Sequence, residues 1–155
     1  MINIVLLEPE IPANTGNIGR SCLAAGSALH LIRPLGFSIS DKQIKRAGMD
    51  YWDQLDVRYY DDFDDFLDQN GNPVVYMTSS KVDRCYTSVF YPQDAYIMFG
   101  SESSGIPRKI LDLYPDTCIR IPMVSAARCL NLSASVAIVL YEALRQQGFA
   151  ANDMR

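Results

Sequence analysis

Short apolar runs alternate along the chain with longer segments whose composition is typical of helices. The first run, residues 2–7, is continuous, as in a parallel strand that is buried on both faces. Further strands are predicted at residues 28–32, 57–60, 74–77, 96–99 and 118–121. Helices are predicted at residues 14–25, 41–48, 62–69, 107–113 and 131–147. This order predicts one α/β domain over residues 1–155, with a mostly parallel sheet flanked by helices.

Composition is ordinary for a globular protein, with 48% hydrophobic and 21% charged residues. Disorder is therefore expected only over residues 150–155. No apolar run approaches the roughly 18 residues that cross a bilayer, and the first residues lack the features of a signal peptide. The four cysteines are scattered without a C-x-x-C pair, which favours reduced thiols over a metal site. We therefore expect a cytoplasmic protein with no membrane segment and no metal.

The formal net charge of −4 argues against non-specific nucleic-acid binding. This charge is unevenly distributed, because five aspartates lie within residues 61–68. Basic side chains lie near the loops described next, so a local basic face stays open as an alternative. These basic residues are Arg20, Lys42, Lys45, Arg46, Arg108, Lys109 and Arg128.

Three polar loops follow predicted strands directly and share one pattern of small, hydroxyl and amide residues. They read NTGNIGR from residue 14, FGSESSGIP from residue 99, and IRIPM with LNLS between residues 119 and 133. A strand, a polar loop and a helix N-terminus together predict a pocket of free backbone amides. Since ligands of parallel sheets bind beyond the carboxyl ends of the strands, the loops predict one composite site.

Several common site chemistries are absent from these loops. Gly16 and Gly19 form a bare G-x-x-G without the first glycine of a dinucleotide fingerprint, and no P-loop motif occurs. The single histidine, His30, lies in the middle of a predicted strand, and there is no G-x-S-x-G elbow. We interpret His30 as structural. What remains is a site of glycines, amides and hydroxyls with one arginine and one glutamate.

In this order the three loops resemble the signature motifs of the SPOUT methyltransferases, specifically the SpoU (TrmH-like) class. The similarity spans nearly the whole chain. The opening residues and the absence of an extra RNA-binding domain resemble its minimal TrmL-like branch, which methylates the 2′-oxygen of the wobble cytidine or uridine in certain leucine tRNAs. The resemblance implies a deep C-terminal trefoil knot that binds S-adenosylmethionine, an anticodon stem-loop as substrate, and a homodimer through the first and last helices.

The resemblance also assigns roles to individual residues. The cofactor would contact Thr78, Gly100, Ile121, Cys129 and Leu130. The catalytic positions of the family fall on Asn14, Arg20, Glu102 and Asn131. Two residues depart from the family pattern: Cys129 replaces a usual serine, and Ala134 replaces a usual asparagine. A cysteine is harmless if the serine acts through its backbone, and it lowers the rate if the hydroxyl positions the ribose.

Two questions stay open at this point. Arg20 is the general base in family accounts, but a guanidinium is protonated at neutral pH and could instead stabilise a developing alkoxide. The aromatic residues Tyr51, Trp52, Tyr59 and Tyr60 could stack on bases, although core or interface packing is favoured. Alternative functions are methylation of another tRNA or rRNA site, a knotted RNA-binding module without catalysis, and a flavodoxin-like nucleotide-binding domain.

Overall fold

The computed structural model describes residues 1–38, 51–126 and 128–149. Within these residues six strands form one sheet in the order β3-β2-β1-β5-β4-β6. Every neighbouring pair is parallel, which confirms the predicted parallel sheet. The strands are β1 (Asn3–Leu7), β2 (Ala28–Ile32), β3 (Val57–Tyr60), β4 (Val75–Thr78), β5 (Tyr96–Phe99) and β6 (Cys118–Ile119).

Helices connect and flank these strands. Asp62 and Asn131 were expected to begin helices, and both side chains do accept hydrogen bonds from backbone N–H groups of the first turn. The predicted helix at 41–48 and the tail at 150–155 lie outside the described residues. The α-helices that the structure describes are α1 (Pro12–Ala24), α2 (Phe63–Gln69), α3 (Arg108–Leu111) and α4 (Leu132–Gln146).

The predicted start of α1 at Asn14 or Thr15 is wrong. The helix begins at Pro12, which follows the N-cap residue Ile11, so Asn14 lies inside the first turn. A proline fits this position because its φ angle suits a helix and its missing N–H would have had no helical partner. The side chain of Asn14 therefore does not cap α1; it bonds Glu102 and Asn131 instead, as described below.

The sheet is covered on both faces, as the continuous apolar run of β1 predicts. Ile4 and Leu6 belong to a core that includes residues of α1 and α4. Val5 and Leu7 belong to a second core, which includes residues of α2 and α3. Successive side chains of a strand point to opposite faces, so the two cores make a helix–sheet–helix arrangement.

The connection between β4 and β5 runs beside the end of α4. The side chain of Gln146 donates to the carbonyl of Val89 at 3.0 Å and accepts from the N–H of Tyr91 at 3.1 Å. Gln147 donates to the carbonyl of Pro92 at 3.0 Å. These bonds hold the connection and the last helix on the same side of the sheet. The trefoil knot implied by the resemblance stays a prediction.

His30 is fully buried in β2, and both ring nitrogens have partners. Nδ1 lies 2.7 Å from the Tyr60 hydroxyl, and Nε2 lies 3.2 Å from Oδ1 of Asn3. Because the Asn3 amide nitrogen donates to the carbonyls of Met1 and Asp94, Oδ1 is the acceptor. Nε2 therefore carries the proton, and Nδ1 accepts from Tyr60. His30 therefore has a structural role, and the fold is most stable when its ring is neutral.

We expect the protein to lose stability in acid through His30. Burial, and secondarily the charge of Arg58, lower the pKa of His30 from 6.5 to about 4, while Asp56 opposes this. Between these values the unfolded chain binds a proton that the folded chain excludes. The contribution of His30 to the free energy of unfolding is therefore fully present above pH 6.5. It falls by up to about 3 kcal/mol as the pH drops towards 4. Urea unfolding across this range should show the slope, and His30→Gln should flatten it; an unchanged slope in that variant would assign the loss to the carboxylates.

Candidate functional site

The three motif segments meet at the carboxyl edge of the sheet, although the first of them, residues 14–20, belongs to α1 and is not a loop. The second follows β5 and the third follows β6. Together with the residues after β4 they enclose a cavity of about 540 Å³. All five predicted cofactor residues line it, as do Asn14, Glu102 and Asn131. Arg20 does not line it. The full lining is formed by Ile11, Asn14, 78–81, 99–106, Ile121, Met123 and 129–132.

Glu102 caps α1 from a distant loop. Its carboxylate accepts from the N–H of Glu10 at 2.8 Å, the N–H of Ile11 at 3.2 Å and the side-chain amide of Asn14 at 2.9 Å. The helix has no side-chain cap at its own N-cap residue, so this carboxylate satisfies N–H groups there. A negative charge at a helix N-terminus is also favourable for the helix dipole. The second loop is thereby held against the first.

Two asparagine amides connect the first turn of α1 to the third motif segment. Nδ2 of Asn131 donates to Oδ1 of Asn14 at 3.0 Å. Oδ1 of Asn131 accepts from the backbone N–H of Ser133 at 2.9 Å and of Ala134 at 3.3 Å. Each amide therefore has a donor and an acceptor partner, which fixes its orientation. The chain of hydrogen bonds Glu102–Asn14–Asn131 joins the three motif segments.

These bonds correct the expectation of free backbone amides. Side chains of this protein already occupy the first N–H groups of α4 and those that precede α1. Ala134 contributes its N–H to the Asn131 cap. The site therefore presents oriented side chains and apolar surface to a ligand, where the sequence pattern had suggested a nest of N–H donors.

Glu10 is a site residue that sequence reasoning missed. Its carboxylate accepts from the N–H of Ser103 at 2.9 Å and from the Ser103 hydroxyl at 2.6 Å. Glu102 binds the N–H of Glu10 in return, so the two loops hold each other through a pair of carboxylates. In sequence the only signal is the position of Glu10 in the opening run EPEIP.

Gly100 lies where the chain folds back on itself most closely. A Cβ atom at this position would be 2.1 Å from the carbonyl carbon of Gly105 and 2.2 Å from the nitrogen of Ile106. The turn is closed by the Gly105 N–H, which donates to the carbonyl of Ser101 at 2.9 Å. This compact loop forms one wall of the cavity.

The remaining predicted cofactor residues differ in exposure. The Thr78 hydroxyl donates to the carbonyl of Met98 at 3.0 Å, so its side chain supports the sheet end. Ile121 is half-buried, while Cys129 and Leu130 are exposed at the cavity. Among the described residues, no cluster of three or more His, Cys, Asp or Glu side chains is placed to hold a metal ion.

Arg20 lies on the exposed face of α1, nearly two turns beyond Asn14. Its guanidinium carbon is 5.3 Å from the centroid of the Tyr51 ring. The other aromatic candidates pack within the protein: Trp52 lies against Gly19, and Tyr60 stacks on His30. The packing interpretation therefore accounts for both of them.

In the described part of the chain, no helix is long and apolar enough to pass through a bilayer. Residues 1–141 match the sequence profile of the SpoU rRNA Methylase family. A relative from Geobacillus stearothermophilus is 49% identical over 151 residues, 96% of each chain. A tRNA (cytidine(34)-2′-O)-methyltransferase from Yersinia pestis is 44% identical over 155 residues, again 96% of each chain.

Two solved structures have the same fold. One, which concerns the 2-OH methylation of C/U34 on tRNA, superimposes with a TM-score of 0.89 at 39% identity, covering 96% of this chain and 97% of the other. The second, an AdoMet-bound rRNA methyltransferase from Sinorhizobium meliloti, gives a TM-score of 0.79 at 25% identity over 93% of this chain and 56% of the other. With a family profile covering nine-tenths of its length and relatives that share nearly half of its residues, this chain belongs to the SpoU rRNA methylase family.

Proposed function

We propose that this chain methylates the 2′-oxygen of the wobble cytidine or uridine of leucine tRNAs, with S-adenosylmethionine as methyl donor. The observation that carries the proposal is the cavity built by all three motif segments, in which Glu102, Asn14 and Asn131 are joined by hydrogen bonds. The match to tRNA methyltransferases along nearly the full chain supports the same reaction. Residues 1–155 act as one cytoplasmic domain.

The cavity fits the proposed cofactor in size and in chemistry. Its volume of about 540 Å³ lies within the range of about 300–1,000 Å³ that is usual for ligand sites. When bound, S-adenosylmethionine supplies an electrophilic methyl group on a positively charged sulfonium. Apolar side chains such as Ile121 and Leu130 suit the adenine ring, and Thr78, Gly100 and Cys129 complete this wall. The carboxylate of Glu102 favours a cationic ligand.

The polar side chains of the site orient the substrate ribose. Asn14 and Asn131 are each fixed by a donor and an acceptor partner, so they need no reorganisation when the ribose enters. Arg20 acts from outside the cavity, where a charged guanidinium stabilises negative charge on the 2′-oxygen and binds an adjacent phosphate. The target nucleotide then lies between the cavity and α1.

A second copy of the chain completes the working enzyme. On α4, Val139 and Leu140 face the core, while Ile138 and Tyr141 expose 36% and 41% of their surface. This second apolar side, beside α1, supports a homodimer formed by these two helices. A dimer lets a small acidic protein present an anticodon stem-loop with surface from two subunits.

The test uses labelled S-adenosylmethionine with unmodified total tRNA, followed by digestion and nucleoside identification. We expect label in 2′-O-methylcytidine or 2′-O-methyluridine, mapped to nucleotide 34 of leucine tRNAs. The matched control is a leucine tRNA with a 2′-deoxy nucleotide at that position, which must remain unlabelled. Label at another position or in rRNA would overturn the assigned nucleotide. Cofactor binding with no label in any RNA would favour the binding module.

A further inference from the structure

Tyr51 is fixed along one turn of α1. Its hydroxyl donates to the carbonyl of Gly16, and the face of its ring lies 5.3 Å from the guanidinium carbon of Arg20. Gly16 and Arg20 are four residues apart on the helix, so they lie on the same side, one turn from each other. The Tyr51 side chain therefore contacts both the backbone of α1, through its hydroxyl, and the side chain of Arg20, through its ring face.

The neighbours of Tyr51 hold this segment on the helix. The Trp52 ring lies 3.0 Å, and the Leu55 side chain 3.1 Å, from the place where a Cβ atom of residue 19 would be. A larger residue at position 19 would require these two side chains to shift by a few tenths of an ångström. The turn of α1 that contains Gly16 and Gly19 thus contacts the aromatic segment Tyr51–Trp52.

A contact with the face of an aromatic ring limits the orientations of a guanidinium without a hydrogen bond. The attraction is between the positive charge and the negative face of the ring, and it consumes no N–H donor. The contact with the Tyr51 ring therefore restricts the Arg20 side chain without itself occupying one of its N–H donors.

We propose that Tyr51 is a positioning residue, which orients Arg20 for its action on the substrate ribose and phosphate. This inference rests on the proposed function, in which Arg20 is a catalytic residue. Tyr51 acts through the arginine and through the backbone of α1. Without the ring, Arg20 samples more orientations and spends less time in the productive one.

Kinetics of ring variants test this proposal. We expect Tyr51→Leu to lower kcat about 10-fold, with the Kd for S-adenosylmethionine within 2-fold because Tyr51 does not line the cavity. Tyr51→Phe should stay within about 3-fold of wild type, since the ring is retained. Increasingly fluorinated phenylalanines at this position should lower kcat stepwise, because fluorine weakens the charge of the ring face at nearly constant size. A flat series would overturn the proposal, even if Tyr51→Leu failed to fold.

A second measurement separates this inference from the proposed function. NMR order parameters of the Arg20 Nε–H, recorded without tRNA, should fall in Tyr51→Leu and remain unchanged in the control Tyr114→Leu. Tyr114 packs against Phe63 on the other side of the sheet. An equally ordered Arg20 in Tyr51→Leu would overturn the positioning role. If the wild type methylated no tRNA, the proposed function would fail, while the NMR result would still decide whether Tyr51 orients Arg20.

Discussion

Gly100→Ala is expected to abolish S-adenosylmethionine binding. The added methyl group would lie 2.1 Å from the carbonyl carbon of Gly105 and 2.2 Å from the nitrogen of Ile106. Both atoms belong to the backbone, so no side-chain rotation can relieve the collision, and the loop that forms one cavity wall must move. A displacement of this kind costs about 3 kcal/mol or more, which corresponds to a loss of affinity of roughly 100-fold or greater.

Isothermal titration calorimetry with S-adenosylmethionine measures this effect, and thermal unfolding shows whether the fold survives. The matched control is Gly105→Ala in the same loop. Gly105 has a φ of +70°, but nothing lies within 4 Å of its added Cβ. Backbone strain should lower the free energy of unfolding of that variant by only about 1–2 kcal/mol. Equal affinities for the two variants would show that the loop can rearrange freely and that Gly100 has no special packing role.

Most of the fold could be predicted from the sequence because the signals are local. Strand β1 is a continuous apolar run, and it is indeed buried on both faces. Asp62 and Asn131 have the short side chains that cap helices, and both do so. Residues 118–121 were predicted as strand, yet β6 ends at Ile119. The next residue, Arg120, pairs instead with the β4–β5 connection, where its N–H donates to the carbonyl of Arg84.

The internal bonds of the site could not be predicted in the same way. Glu102 caps a helix that begins 90 residues earlier in the chain, and no local pattern encodes such a partner. The cap expected from Asn14 was wrong for this reason: the distant carboxylate takes that role, which leaves the asparagine to bond Asn131. Capping propensity indicates which residues are able to cap, whereas the tertiary fold decides which of them do.

The motif residues came together for a different reason. The resemblance assigned nine residues to the site, and the structure places eight of them around one cavity. Parallel strands bring their carboxyl ends to one edge of the sheet, so loops far apart in sequence converge there. Arg20 is the exception, because it belongs to the body of α1 and does not line the cavity. Its role depends on where the RNA lies.

Arg20→Ala is expected to reduce methyl transfer by about 1,000-fold and to leave the Kd for S-adenosylmethionine within a few-fold. The reduction follows because the charge that stabilises the 2′-oxygen and binds the phosphate is removed. The cofactor affinity is preserved because Arg20 does not line the cavity. The side chain is exposed on α1 but contacts the Tyr51 ring, so thermal unfolding of the variant is needed to separate a loss of turnover from a loss of stability.

Single-turnover kinetics on leucine tRNA and cofactor titration together measure this prediction. Arg58→Ala is the matched control, since Arg58 is an exposed arginine that pairs with Asp56 and should retain full activity. Arg20→Lys distinguishes the two roles of the arginine. A lysine keeps the charge but not the planar fork, so partial turnover that does not rise steeply with pH supports charge stabilisation. If turnover of the wild type rises tenfold per pH unit, Arg20 acts instead as a general base. If Arg20→Ala retains near-normal turnover, Arg20 is not a catalytic residue.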